Sequence, residues 1–201
     1  MASIPELLQK LASGGVISFP TDTVPALGTL PIHGEQIFHL KQRQPDKPLI
    51  LLGAAWQDFA PYVAGTAAER REWEAIAQQY WPGPLTLVLP ATDRVPATMN
   101  PQNPGTIGIR VPDQAFALEL LRESQPLATT SANRSGQPPL TRFGEIQATF
   151  PTVAIPPREQ FPPEQSWGSG QPSTVAQWTA AGWRILRQGS VTLDPLIKLI
   201  K

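Results

Sequence analysis

The sequence predicts an α/β protein built on one mixed sheet, and three observations predict it. Short apolar runs of strand length alternate with amphipathic runs of helix length along most of the chain. Proline and glycine separate the runs, with 24 prolines and 15 glycines in 201 residues. The hydrophobic fraction, 41%, supports one sizeable core. Many of the prolines stand at strand boundaries, which indicates short stiff loops rather than disorder.

The elements follow in order. Residues 3–12 read as a helix: Ser3 caps it, Pro5 suits the first turn, and Ile4, Leu7, Leu8 and Leu11 form the apolar stripe. Gly14 and Gly15 end it, and residues 16–19 form a short apolar strand stopped by Pro20. Residues 34–42 read as helical and residues 49–52 as a buried strand. A helix over 67–80 is broken by Trp81-Pro82-Gly83-Pro84. Strands follow at 85–89 and 106–111, then a helix at 114–123 and a strand at 127–130. A short helix at 143–150 leads into residues 151–171, a long loop rich in proline and glycine. Strands at 173–178 and 183–187 flank a turn at 180–182, and residues 194–201 read as weakly helical. The segment after the long loop is too short for a domain, so residues 1–201 are read as one domain.

Composition excludes several classes of function. The chain has no cysteine, so disulfides and thiolate zinc sites are ruled out. Two histidines, His33 and His39, are too few for a histidine-rich metal site. The formal net charge is zero, so no global field draws the protein to nucleic acid or anionic membrane. No apolar run approaches a membrane span, and no secretory leader is visible, so a cytoplasmic protein with no membrane partner is expected.

Polar clusters recur at the ends of the predicted strands. Thr21, Asp22 and Thr23 follow the first. Lys41, Arg43 and Lys47 lie within seven residues, interleaved with Pro45 and Pro48. Arg110 stands among the apolar residues of the strand that Thr106 opens. An arginine there is either outward and solvated or inward and paired with an anion. Thr129, Ser131 and Asn133 follow the apolar start of the 127–130 strand, with Gly136 beyond. Ser173 precedes the next strand and Arg187 closes the last. Taken singly, each cluster also suits an ordinary turn, cap or solvated face. Together they place hydroxyls, an amide and cations where α/β sheets bind anions. There is no Walker loop, no dinucleotide fingerprint and no catalytic triad.

In order and spacing, several stretches resemble the YrdC/TsaC family of threonylcarbamoyl-AMP synthases. They are Gly-Gly-Val-Ile-Ser-Phe-Pro-Thr-Asp-Thr-Val (14–24), Lys-Gln-Arg (41–43), Asp-Lys-Pro-Leu-Ile-Leu (46–51), Trp-Pro-Gly-Pro-Leu-Thr (81–86) and Ile-Gly-Ile-Arg-Val-Pro (107–112). Pro-Leu-Ala-Thr-Thr-Ser-Ala-Asn-Arg-Ser-Gly (126–136), Ser-Thr-Val (173–175) and Ile-Leu-Arg-Gln-Gly (185–189) complete the set. The resemblance implies a twisted sheet of parallel and antiparallel strands, flanking helices and a large concave basic cavity. It implies formation of threonylcarbamoyl-adenylate from L-threonine, bicarbonate and ATP with release of pyrophosphate. The product then serves tRNA-modification partner proteins. By motif, Lys41, Arg43, Ser131 and Asn133 match the catalytic positions. Thr23, Arg110, Thr129 and Ser173 match threonine contacts, and Arg43, Lys47, Thr106, Ser131 and Arg187 match ATP contacts. Magnesium is expected on the ATP phosphates and not on a protein metal site.

The chemistry suits these residues. A carbamate attacking an α-phosphate brings two anions together, and Lys41, Arg43 and Arg110 would offset that repulsion. One departure concerns the pocket wall. After Thr23-Val24 the family has an aromatic residue and glycine, whereas this chain has Pro25-Ala26. The wall would be rebuilt from Phe19, Trp56 or Trp167, and the loop at 151–171 would act as a mobile lid hinged at Gly168 and Gly170. The alternatives are a non-catalytic paralogue with weak RNA binding on the same surface, or a nucleotide-binding paralogue with another small substrate.

Overall fold

The computed structural model describes residues 2–44, 46–102 and 104–192; the tail expected to be helical at 194–201 lies outside them. Eight strands form one sheet: β1 (Ile17–Phe19), β2 (Ala26–Thr29), β3 (Ile50–Leu52), β4 (Leu85–Pro90), β5 (Thr106–Arg110), β6 (Leu127–Ser131), β7 (Thr174–Thr179) and β8 (Gly182–Arg187). Their order is β1-β2-β6-β3-β5-β4-β7-β8. β3 with β5 and β4 with β7 run parallel, and the other neighbours are antiparallel. The helices are α1 (Ile4–Ala12), α2 (Glu35–Lys41), α3 (Ala67–Tyr80), α4 (Ala115–Ser124) and α5 (Phe143–Thr149).

Local chemistry explains the helix starts. The Ser3 backbone N–H and hydroxyl both donate to Glu6 Oε2, at 2.7 and 2.9 Å, which secures the first turn of α1. Thr66 and Glu69 exchange the same contacts at α3, where the Glu69 N–H donates to Thr66 Oγ1 at 3.3 Å. These donors hold both glutamates below their ordinary pKa. α2 ends on Gln42 in a left-handed conformation (φ 52°), which turns the chain so that Arg43 leaves the helix axis.

The sheet has two unlike faces, because side chains alternate along every strand. Leu27, Leu51, Leu87, Ile109, Ala128 and Ala176 point to one face and are wholly buried in the main core. Facing the other way are Ala26, Leu52, Thr86, Arg110, Thr129 and Ser131. That second face is the floor of the site.

The pattern along the sequence missed β2. Ala-Leu-Gly-Thr is too short and too weak in strand propensity to stand out, and pairing with β1 and β6 on either side makes it a strand. Gly28 is needed there for packing, since a Cβ would lie 2.8 Å from the Phe19 ring.

Residues 151–171 form no helix or strand, as expected, and the first half of this loop is anchored to the body of the fold. Ala154 accepts the Ser18 N–H at 2.8 Å beside the edge strand β1, and Ile155 accepts that of Ala2 at 2.9 Å. Val153, Ile155 and Phe161 are buried in the core. Phe161 packs edge-on against Phe116, Phe143 and Trp167. Loop backbone here finds partners because it adds to the sheet edge and core instead of running over solvent.

Candidate active site

The second face of the sheet, with the loops at its rim, encloses a cavity of about 440 Å³. Arg43, Arg110 and Arg187 line it, and among the described residues no carboxylate does. Thr21, Thr23, Thr86, Thr129, Thr130, Ser131 and Ser173 contribute hydroxyls, and Asn133 and Gln137 amides. The residues come from stretches up to 166 positions apart, from Thr21 to Arg187. Strand register brings them together: Ser131 lies opposite Ala26, Leu52 beside Arg110, and Arg187 opposite Val175.

Arg110 is inward and paired. It is 4% exposed. One terminal nitrogen donates to Asp22 Oδ1 at 2.6 Å, the other to Thr23 Oγ1 at 2.9 Å, and Nε to the Gly83 carbonyl at 2.9 Å. One N–H on each terminal nitrogen is left for a ligand. Burial pulls its pKa down, Asp22 opposes that shift, and Arg187 adds to it. Thr23 is held from behind by Thr21, whose hydroxyl lies 3.0 Å from Thr23 Oγ1 and donates to the Val24 carbonyl at 2.7 Å.

Arg187 is set by Ser173. Its Nε and a terminal nitrogen donate to the Ser173 carbonyl at 3.1 and 2.9 Å, and the same terminal nitrogen reaches the hydroxyl at 3.1 Å. Thr86 Oγ1 lies 2.9 Å from Ser173 Oγ on the floor. Arg43 curls onto its own loop, donating to the Lys47 and Pro48 carbonyls at 2.8 and 3.1 Å. Burial lowers the pKa of both arginines, and Asp46 opposes the shift at Arg43.

Lys41 stands behind the cavity and not in its lining. It is 1% exposed. Its Nζ donates to the Ser131 carbonyl, to Asn133 Oδ1 at 3.1 Å and to Thr130 Oγ1 at 3.4 Å. Ser131 Oγ donates to the same Asn133 oxygen at 2.6 Å, and the Asn133 amide donates to the carbonyls of Arg134 and Gln137. The ammonium thus ties Ser131 and Asn133 to α2. Burial first, and the Arg43 charge second, depress its pKa to about 7.

Two residues matched to the nucleotide stand apart from this cavity. Lys47 is exposed at the loop surface; its carbonyl accepts from Arg43 and its backbone N–H donates to the Gln44 carbonyl. Thr106 starts β5, four residues or about 13 Å of strand before Arg110. It lines an adjoining cavity of about 300 Å³ that shares Pro48, Ile50 and Val175 with the larger one. Thr23, Thr129 and Ser173 all line the main cavity. Thr129 lies on its floor, its hydroxyl turned to the Ile50 carbonyl at 3.2 Å.

The expected aromatic wall is not rebuilt from any of the three residues named for it. Phe19 is core, and Trp56 packs with Trp81 at 6.2 Å beside a separate groove. Trp167 packs on Phe161 at 4.7 Å. The apolar wall consists instead of Val24, Ala26, Leu52 and Val175. Thr86 and Asp22 belong to quoted motifs, and strand parity with Arg110 was the signal that marks Thr86 as a floor residue.

The family model for Sua5/YciO/YrdC, whose description is "Telomere recombination", matches residues 9–189. The chain belongs to the Sua5/YciO/YrdC family. Threonylcarbamoyl-AMP synthase from Vibrio campbellii is 32% identical over 195 residues, which is 94% of this chain and 100% of that protein. Among solved structures, Pyrococcus abyssi Sua5 complexed with L-threonine superposes with a TM-score of 0.84 at 28% identity. That match covers 100% of this chain, which spans only 58% of the Sua5 chain. Escherichia coli YciO superposes with a TM-score of 0.79 at 23% identity, covering 96% of this chain and 91% of its own. This Sua5/YciO/YrdC member therefore shares its single mixed sheet and flanking helices with both.

Proposed function

We propose that the cavity makes L-threonylcarbamoyl-AMP. One observation carries the reading: three arginines, seven hydroxyls and the Asn133 amide converge on one cavity with no carboxylate among the described lining residues. Such a surface suits two anions that must react with each other. The relative named threonylcarbamoyl-AMP synthase, matched over its whole length, supplies the reaction class.

In this reading the threonine amino group and bicarbonate first give an N-carbamate with loss of water. A carbamate oxygen then forms a bond to the α-phosphorus, and the bond to the bridging oxygen breaks to release pyrophosphate. Arg110 and Thr23 hold the amino-acid carboxylate, with Thr129 and Ser173 beside it. Arg43 and Arg187 neutralise phosphate oxygens, and the Ser131–Asn133 pair, whose donors are engaged within the fold, shapes the cavity wall beside them. Lys41 acts through Ser131 and Asn133, which it holds in register. Magnesium would ride on the triphosphate, as this ion commonly does with nucleotides. The product would pass to a tRNA-modification partner.

Incubation with ATP, bicarbonate and a mixture of amino acids, followed by mass spectrometry, tests this. The expected outcome is threonylcarbamoyl-AMP, with pyrophosphate release dependent on both threonine and bicarbonate. An adduct of a different amino acid would point to a paralogue whose Val24–Ala26–Leu52 wall selects another side chain. No turnover at all would refute the proposal.

A further inference from the structure

We propose that Asp22 is the positioning residue of the amino-acid site, setting the orientation in which Arg110 meets a substrate carboxylate. The inference rests on the reading of the cavity given above. Asp22 does not line the cavity, and its side chain is 15% exposed against 5% for that of Arg110. It acts from behind.

The geometry is over-determined around one carboxylate oxygen. Asp22 Oδ1 accepts from Arg110 at 2.6 Å and from the Asp113 N–H at 3.0 Å. It therefore ties the end of β5 to the start of the loop that leads into α4. The Asp22 backbone carbonyl accepts the Ser169 N–H at 2.9 Å, and the Thr23 carbonyl accepts that of Gly170 at 2.9 Å. Residues 168–170 thus strap the Thr21–Thr23 turn down from outside. Oδ2 is buried and has no partner, so the carboxylate spends its binding capacity on one oxygen. A single point of attachment, with Thr23 on the second terminal nitrogen and Gly83 on Nε, leaves the guanidinium no other rotation that keeps all three bonds. The Arg187 charge also acts on Arg110 and repels it. Without the Oδ1 acceptor the guanidinium would lose its tie to the Asp113 N–H and could swing toward its neighbours.

A positioning role and a purely electrostatic one predict different results. Asparagine keeps the Oδ1 acceptor and loses the charge. Alanine loses both. Threonine affinity by calorimetry, and KM and kcat in the pyrophosphate assay, should be measured for wild type, Asp22→Asn and Asp22→Ala. The expected result is a tenfold or greater loss of threonine affinity in Asp22→Ala, a similar rise in threonine KM, and an unchanged KM for ATP. Asp22→Asn should stay within about threefold of wild type. Asp22→Ala binding threonine as wild type does would overturn the proposal. Equal losses in both variants would also overturn it, because charge and not orientation would then be the contribution. Should the alanine variant fail to fold, Asp22→Ser carries the same test, being too short to hold both Arg110 and the Asp113 N–H. Wild-type protein that does not bind threonine would refute the reading of the cavity itself, a result distinct from either variant outcome.

Discussion

Gly168 offers a test of how the fold holds the Thr21–Thr23 turn. It sits at φ +79°, and a Cβ there would lie 2.3 Å from the Thr23 carbonyl oxygen and 3.0 Å from that of Thr21. Gly170, two residues on, sits at φ +76° with nothing within 4 Å of its missing Cβ. Both glycines would bear the same left-handed backbone cost when replaced by alanine, ~1–2 kcal/mol. Only Gly168→Ala must also lift the strap. That displaces the Ser169 and Gly170 N–H bonds to the Asp22 and Thr23 carbonyls. At ~1 kcal/mol for each bond, Gly168→Ala should cost ~3–4 kcal/mol in all and Gly170→Ala ~1–2 kcal/mol. Urea unfolding of the two variants measures the difference. Threonine affinity should fall in the first variant alone, because the strap backs Asp22 and Thr23. Equal destabilisation of the two would refute the argument that close backbone approach makes residue 168 a glycine.

Two further outcomes are expected. Arg43→Ala should weaken ATP binding by ~2–4 kcal/mol, measured by calorimetry, while costing the fold ~1 kcal/mol or less through the lost Lys47 and Pro48 contacts; unchanged ATP affinity would remove Arg43 from the site. Lys41 has a folded pKa of about 7 against an ordinary 10.5, so between those values the unfolded chain binds a proton that the folded one does not, and stability should rise with pH across that window. Lys41→Met should flatten that rise in denaturation curves recorded from pH 7 to about 10, and an unchanged slope would show that Lys41 keeps its ordinary pKa in the fold.

Much of this architecture was legible in the sequence, and the exceptions share a cause. α1 and α3 were readable because their caps and apolar stripes are local. β2 was not, since it is strand only through its two neighbours. Arg110 stood out as a cation among apolar residues, but Asp22, 88 positions away, pairs with it only through the fold. The loop at 151–171 looked like a lid from composition, yet Val153, Ile155 and Phe161 anchor it. Lys47 was grouped with Arg43 by nearness in sequence, while the turn after α2 sends only the arginine into the cavity. Composition reports how stiff or polar a segment is; which side of it meets the core depends on contacts that local sequence does not contain.

The partners chosen for the cations explain how a chain of zero net charge presents three arginines to one cavity. Arg43 rests on the carbonyls of Lys47 and Pro48, Arg187 on that of Ser173, and Lys41 on that of Ser131. Neutral oxygens fix a cation's geometry without cancelling its charge, so the field of each remains directed at the cavity. The fold bears the desolvation of these groups, and the depressed pKa of each reflects that cost. Arg110 is the exception. It is the most deeply buried of the three cavity arginines, and it alone has a carboxylate, held on one oxygen and from the side away from the cavity. In the proposed site, a substrate carboxylate would complete the coordination of a guanidinium that Asp22 aims. In that reading the pull on an anion comes from cations gathered on one sheet face and not from the net charge of the chain.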